Sequence, residues 1–120
     1  RRFECGSPNM LGIHALEASL SLLLEYGPER VETAVLERSG RLMAAIAEHP
    51  QLELITPRGT QRHAGIVTLR HQSRSDSELF DVLKQAGIFC ARRGGGIRLS
   101  PHFYTPLEHL DRAVELLAAP

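Results

Sequence analysis

Three consecutive glycines, Gly94-Gly95-Gly96, separate two short apolar runs, Ile88 to Ala91 and Ile97 to Leu99. Such a pattern predicts a β-hairpin whose turn needs residues that tolerate positive φ. Arg98 then falls on a strand, held by its neighbours. Its planar five-donor fork suits two-point capture of a carboxylate or phosphate, and it keeps its charge near neutral pH. A local anion site is one reading of this arginine, and an ordinary surface ion pair is the other.

The segments around the hairpin supply its scaffold. From Met10 to Tyr26, Ile13, Leu16, Leu20, Leu23 and Leu24 follow the helical period, and Leu11, Ala15 and Leu22 widen the apolar arc. Ser7 or Asn9 caps this helix, and its breadth predicts a packing partner beyond the chain. Gly27-Pro28 opens a second helix to about His49, with Val31, Val35, Leu42 and Ile46 inward and Arg30, Glu37, Arg38, Arg41 and Glu48 on the wet side. Short strands follow at Leu52 to Ile55 and Gly65 to Arg70, joined by a polar loop containing His63. Ser75-Asp76-Ser77-Glu78 reads as a capping box for a helix ended by Gly87, and Thr105-Pro106-Leu107-Glu108 as a second one for a terminal helix. The order α-α-β-β-α-β-β-α predicts an α+β domain over residues 1–120. Its helices lie on one face of a small, mostly antiparallel sheet.

A chain of 120 residues with 42% hydrophobic content can bury a real core. Fourteen basic residues balance fourteen acidic ones, so no global field gathers nucleic acid or anionic membrane. The longest apolar stretch, Ala15 to Tyr26, is interrupted by polar residues and too short for a bilayer. Two cysteines, Cys5 and Cys90, lack metal or redox spacing, and nothing resembles a signal peptide, which fits a reducing cytoplasm.

Among residues that carry chemistry, Ser100, His102 and Tyr104 follow Arg98 at alternate positions and project to one side in an extended chain. No carboxylate at recognisable spacing orients His102 as a general base. Cys90 falls in an apolar strand pattern, where a small buried hydrophobe is the default. His14, His49, His71 and His109 show no metal spacing. The single lysine, Lys84, lies away from the apolar stripe of its helix and reads as solvated, so no other residue of the chain can form a Schiff base. A free-standing module that uses Arg92, Arg93 and Arg98 to hold an acidic ligand or RNA is the rival to an enzyme, although few aromatics and zero net charge count against RNA.

Two stretches carry a family resemblance. Arg2-Phe3-Glu4-Cys5-Gly6-Ser7-Pro8-Asn9 resembles the arginine-aromatic-glutamate-x-glycine-threonine-proline-asparagine segment of class V aminotransferases, and Gly96-Ile97-Arg98-Leu99-Ser100-Pro101-His102-Phe103-Tyr104 resembles their substrate-arginine segment. The resemblance covers essentially the whole chain and is to the carboxyl-terminal small domain of these enzymes. It implies a fold-type I pyridoxal-phosphate enzyme acting on amino acids, typically a cytoplasmic homodimer with its active sites at the subunit interface. It implies that Arg98 binds the substrate carboxylate and that Ser7 reaches the cofactor phosphate across the dimer. The Schiff-base lysine and the groups that hold the cofactor ring are expected in a large domain preceding Arg1, and the 120-residue chain alone is expected to be inactive. Many desulfurases of the family carry a cysteine loop before the substrate arginine. Here that interval is Arg93-Gly94-Gly95-Gly96-Ile97, which disfavours desulfuration and leaves transamination, racemisation, elimination and kynurenine hydrolysis open.

Overall fold

A computed structural model describes residues 6–59 and 62–119. Cys5 and the Arg2 to Cys5 part of the first motif lie outside the described residues. The elements are α1 (Met10–Tyr26), α2 (Pro28–Ala47), β1 (Leu52–Leu54), β2 (Val67–His71), α3 (Asp76–Gln85), β3 (Ala91–Arg93), β4 (Gly96–Leu99) and α4 (Leu107–Ala118). Their order is the one the sequence predicts. The chain divides into two units between Val31 and Glu32.

The first unit is built on α1. Asn9, rather than Ser7, caps it, its side-chain oxygen accepting from the Gly12 amide at 3.0 Å. Gly27 ends it at φ 103°, donating to the Leu23 carbonyl, and in turn accepts from the amides of Arg30 and Val31 in the first turn of α2. None of its residues is buried, and Leu11 is 84% exposed.

The second unit carries the sheet, in the order β1-β2-β4-β3 with every neighbouring pair antiparallel. Leu52, Val67, Leu69, Ile97 and Leu99 point to one face and join Leu42, Met43 and Ile46 of α2, Leu79 and Leu83 of α3, and Leu110, Ala113, Val114 and Leu117 of α4 in one core. An α+β arrangement with helices on a single sheet face follows directly from this alternation. Gln51 and Arg74 donate to the carbonyls of Ala118 and Ala119, satisfying acceptors that the end of α4 leaves open. Arg41 of α2 forks onto Asp111 of α4 at 3.0 and 2.6 Å, and its hydrogen bond holds the Asp111 carboxyl below the usual carboxylate range.

Several local expectations need correction. Ser75 does cap α3, accepting from the Glu78 amide at 3.2 Å, and Gly87 at φ 76° closes it. Thr105 does not cap α4. Its hydroxyl is taken by the His102 amide at 2.9 Å, and the cap position falls to Pro106, which has no side-chain acceptor to offer. Arg38 is not on a wet face: its Nε donates to the Thr105 carbonyl at 2.7 Å and its Nη1 to Ala34, with the side chain 17% exposed. The hairpin forms, but its first strand is Ala91–Arg93 rather than Ile88 to Ala91, because Arg93 pairs with Gly96 across a two-residue turn.

That turn places Gly94 at φ 67° and Gly95 at φ 80°, the paired positive angles of a type I′ hairpin. Gly96 is required for another reason: a β-carbon there would collide with the Leu69 carbonyl of β2. Gly96→Ala should therefore force β2 and β4 apart and cost about 3 kcal/mol or more, whereas Gly95→Asn should cost less than about 1 kcal/mol. Urea unfolding of the two variants beside the parent chain checks this.

Candidate carboxylate-binding face

Strand alternation decides where Arg98 goes. Ile97 and Leu99 on either side of it are buried toward the helices, so Arg98 faces the other side of the sheet. Thr68 of β2 and Ala91 of β3 are its cross-strand partners. The side chain is half-buried, and its Nε is fully shielded yet has no hydrogen-bond partner among the described residues. A shielded donor without an acceptor costs about 1–3 kcal/mol, more when it carries charge. The position is stable to the extent that something supplies an oxygen. No oxygen of the described residues provides it.

The sheet face on which Arg98 sits is zoned. At the hairpin end, Arg70 forks onto Glu53 at 2.9 and 2.8 Å, and that cation is already satisfied. A β-carbon on Gly94 would meet the Thr68 methyl, and one on Gly96 would meet Ile55 as well as the Leu69 carbonyl. At the other end the face opens onto Ile66, 49% exposed, and the exposed Ser100, the residues that flank β2 and β4 beyond the Val67–Leu99 pair.

The three hairpin arginines are not brought together. Arg92 turns to the helix side, its guanidinium 5.7 Å from the centre of the Phe80 ring, while Arg93 is exposed near the tip and Arg98 is shielded mid-strand. His102 and Tyr104 do not extend Arg98's row, because the chain turns at His102, where the Thr105 amide donates to the His102 carbonyl at 2.9 Å. Their rings instead stack on each other with centroids 4.3 Å apart. They line a depression of about 360 Å³ that Phe89, Ser100, His109 and Leu110 also border.

Ser7 is exposed ahead of α1. Lys84 is exposed in the last turn of α3, in the helix layer and hence behind the sheet from Arg98. No cluster of three metal-ligating side chains occurs among the described residues. Thr68, Ile66 and the Arg38–Thr105 tie were not singled out in the sequence. The period-two pattern of Val67 and Leu69 was a sufficient signal for the first two, while the tie joins residues 67 apart and has no local signature.

Cys90 is half-buried and packs against the core, and burial pushes its thiol pKa up. Cys90 thus behaves as a small hydrophobe packed on the edge of the core. Its alkylation by iodoacetamide near neutral pH should be at least about fivefold slower in the folded chain than in urea, as peptide mapping by mass spectrometry would show.

Comparison with known proteins bears on the family and the fold. The family described as Aminotransferase class-V matches residues 1–112. An uncharacterized aminotransferase, YcbU, of Bacillus subtilis is 32% identical over 99% of this chain and 31% of its own length. Isopenicillin N epimerase of Streptomyces clavuligerus is 27% identical over 99% of this chain and 32% of its own. Among solved structures, the apo cysteine desulfurase of Thermococcus onnurineus superposes with a TM-score of 0.87 at 22% identity, covering 98% of this chain and 32% of that one. The cystine C-S lyase C-DES, solved with cysteine persulfide, gives 0.83 at 22% identity over 98% of this chain and 31% of that one. The chain thus spans about a third of the length of the relatives it matches. With the family matched over nearly all of its length and the hairpin arginine on an open sheet face, the chain belongs to the class V aminotransferases.

Proposed function

We propose that this chain is the carboxyl-terminal small domain of a pyridoxal-phosphate-dependent enzyme acting on amino acids, and that its part in the reaction is to hold the substrate carboxylate at Arg98. The observation that carries this is the shielded Nε of Arg98, which has no partner among the described residues, on an open sheet face. A carboxylate can accept from two parallel N–H groups of the fork, which fixes the orientation of the attached α-carbon as well as its position.

The residues in hand do not make a cofactor site by themselves. A pyridoxal phosphate needs an amine to bond its aldehyde, and Lys84 stands exposed on the helix layer, behind the sheet from Arg98. The rest of that site belongs to a larger domain of the same enzyme, and the 120-residue chain is inactive alone. Exposed Leu11, Leu16, Leu22 and Leu24 on α1 support a docking partner of this kind. Ser7 keeps a hydroxyl ahead of the Asn9 cap, and its role is to reach the cofactor phosphate of the other subunit in a cytoplasmic homodimer. The two-residue turn between Arg93 and Gly96 leaves no loop for a nucleophilic cysteine, which weighs toward transamination or related chemistry over desulfuration.

In the full-length enzyme, Arg98→Lys should lower kcat/KM for amino acids roughly 30- to 1000-fold. Lysine keeps the charge but loses the planar two-point grip, a loss on the order of 2–4 kcal/mol. Arg93→Lys, at an exposed position near the turn, should change it less than about threefold. Steady-state kinetics with cofactor occupancy measured on each variant distinguish the two. Equal, small effects would remove Arg98 from the site.

A further inference from the structure

Arg98 does not stand alone on the open sheet face. The amide of Thr68, opposite it on β2, donates to the Thr56 hydroxyl at 2.8 Å, and the Thr68 carbonyl accepts from the amides of Ile55 and Thr56 at 2.9 and 3.1 Å. Both backbone groups of Thr68 are therefore turned toward β1 and away from β4. Within the β2–β4 ladder this makes Thr68 and Arg98 a pair without mutual hydrogen bonds, the closer of the two antiparallel geometries, with Cα atoms about 4.5 Å apart. Because Val67, Leu69, Ile97 and Leu99 all point into the core, the two side chains emerge together on the other face.

The Thr68 side chain is half-buried, and its methyl is 3.7 Å from the position that a β-carbon on Gly94 would take. Branching at the β-carbon leaves few χ1 rotamers, so a methyl committed to the hairpin turn sets the direction of the hydroxyl. That hydroxyl makes no hydrogen bond among the described residues, and neither does the Arg98 Nε. On the other side of Arg98, Ala91 of β3 brings only a methyl group. One row across β2, β4 and β3 thus holds a hydroxyl, a guanidinium and a methyl, and both polar groups have hydrogen-bonding capacity unfilled.

We infer that Thr68 is a second carboxylate-binding residue of the site, its hydroxyl donating to the carboxylate that Arg98 grips. This rests on the carboxylate role of Arg98. A carboxylate offers about four lone-pair positions, of which the guanidinium fork takes two, so a neighbouring donor has an acceptor to meet. The bonds from Thr68 to Ile55 and Thr56 fix its backbone on a strand, which keeps the donor in place before the ligand arrives. The rival role, in which Thr68 only packs under the turn, requires the methyl and not the hydroxyl. Valine keeps the methyl and loses the hydroxyl, and serine does the reverse.

The test uses the full-length enzyme with Thr68→Val and Thr68→Ser, and propanoate as the carboxylate probe. Dissociation constants come from NMR titration, KM and kcat from steady-state kinetics on the common amino acid that the parent turns over fastest, and melting temperatures from calorimetry. Thr68→Val should weaken propanoate about tenfold or more and raise KM in proportion, with kcat within about threefold, since a hydrogen bond to the carboxylate acts in the ground state and the transition state alike. Thr68→Ser should stay within about threefold of the parent in every one of these constants. Added to Arg98→Lys, Thr68→Val should have a smaller effect than it has alone, because the two residues hold one group. A change of less than about twofold in Thr68→Val, with Arg98→Lys still weakening propanoate, overturns this inference and leaves the carboxylate role standing. Losses that Thr68→Ser reproduces, together with a lowered melting temperature, mean that the methyl under the turn is what matters and overturn it as well. Propanoate binding unaffected by Arg98→Lys overturns the carboxylate role itself, and this inference with it.

Discussion

The pairing of β2 with β4 is the contact on which the remainder of the second unit depends. These are the two central strands, and their register sets Val67 against Leu99, Thr68 against Arg98 and Leu69 against Ile97. Because side chains alternate with period two, a slip of one residue would exchange the faces of both strands, placing Arg98 in the core and Leu99 in solvent. Burial of Val67, Leu69, Ile97 and Leu99 thus fixes where Arg98 stands as firmly as any contact that Arg98 makes itself. Gly96 enforces the same register, since only a residue without a β-carbon can lie against the Leu69 carbonyl.

A sheet covered by helices on one side leaves its other side to function. The polar groups of that side are spent unequally. Glu53 and Arg70 satisfy each other across β1 and β2, in an exposed pair of small energetic weight. Arg98, more shielded, is left with an unfilled donor. The helix layer keeps the strand end behind it in place: Arg38 reaches from α2 to the Thr105 carbonyl, and the Thr105 hydroxyl receives the His102 amide. These bonds hold the loop after β4 against the core. They bring His102, Phe103 and Tyr104 into a ring cluster rather than into line with Arg98.

Much of this was legible in the chain because it rests on short-range chemistry. The limits of α1 follow from the Asn9 cap and Gly27, those of α3 from Ser75 and Gly87, and the hairpin from its glycines. The position of Arg98 on a strand followed from its apolar neighbours, and the family resemblance followed from that segment together with Arg2 to Asn9. What sequence could not supply were choices settled at long range. Thr105 has the spacing of a cap residue, yet an amide three residues earlier competes for its hydroxyl and wins. Arg38 sits on the polar side of a helical wheel, but the loop after β4 packs over it and gives its guanidinium a carbonyl. The strand order β1-β2-β4-β3 and the zoning of the open face depend on which strands meet, and no local pattern states that.

The central claim is that the Arg98 fork on the open sheet face receives a carboxylate. A crystal structure of the full-length enzyme with a bound amino-acid ligand tests it most directly. The account predicts a ligand carboxylate oxygen about 2.7–3.0 Å from Arg98 Nε, with the second oxygen on a neighbouring guanidinium nitrogen. A structure in which Arg98 Nε donates to a carbonyl or carboxylate of the protein itself, with the ligand carboxylate held elsewhere, would contradict it.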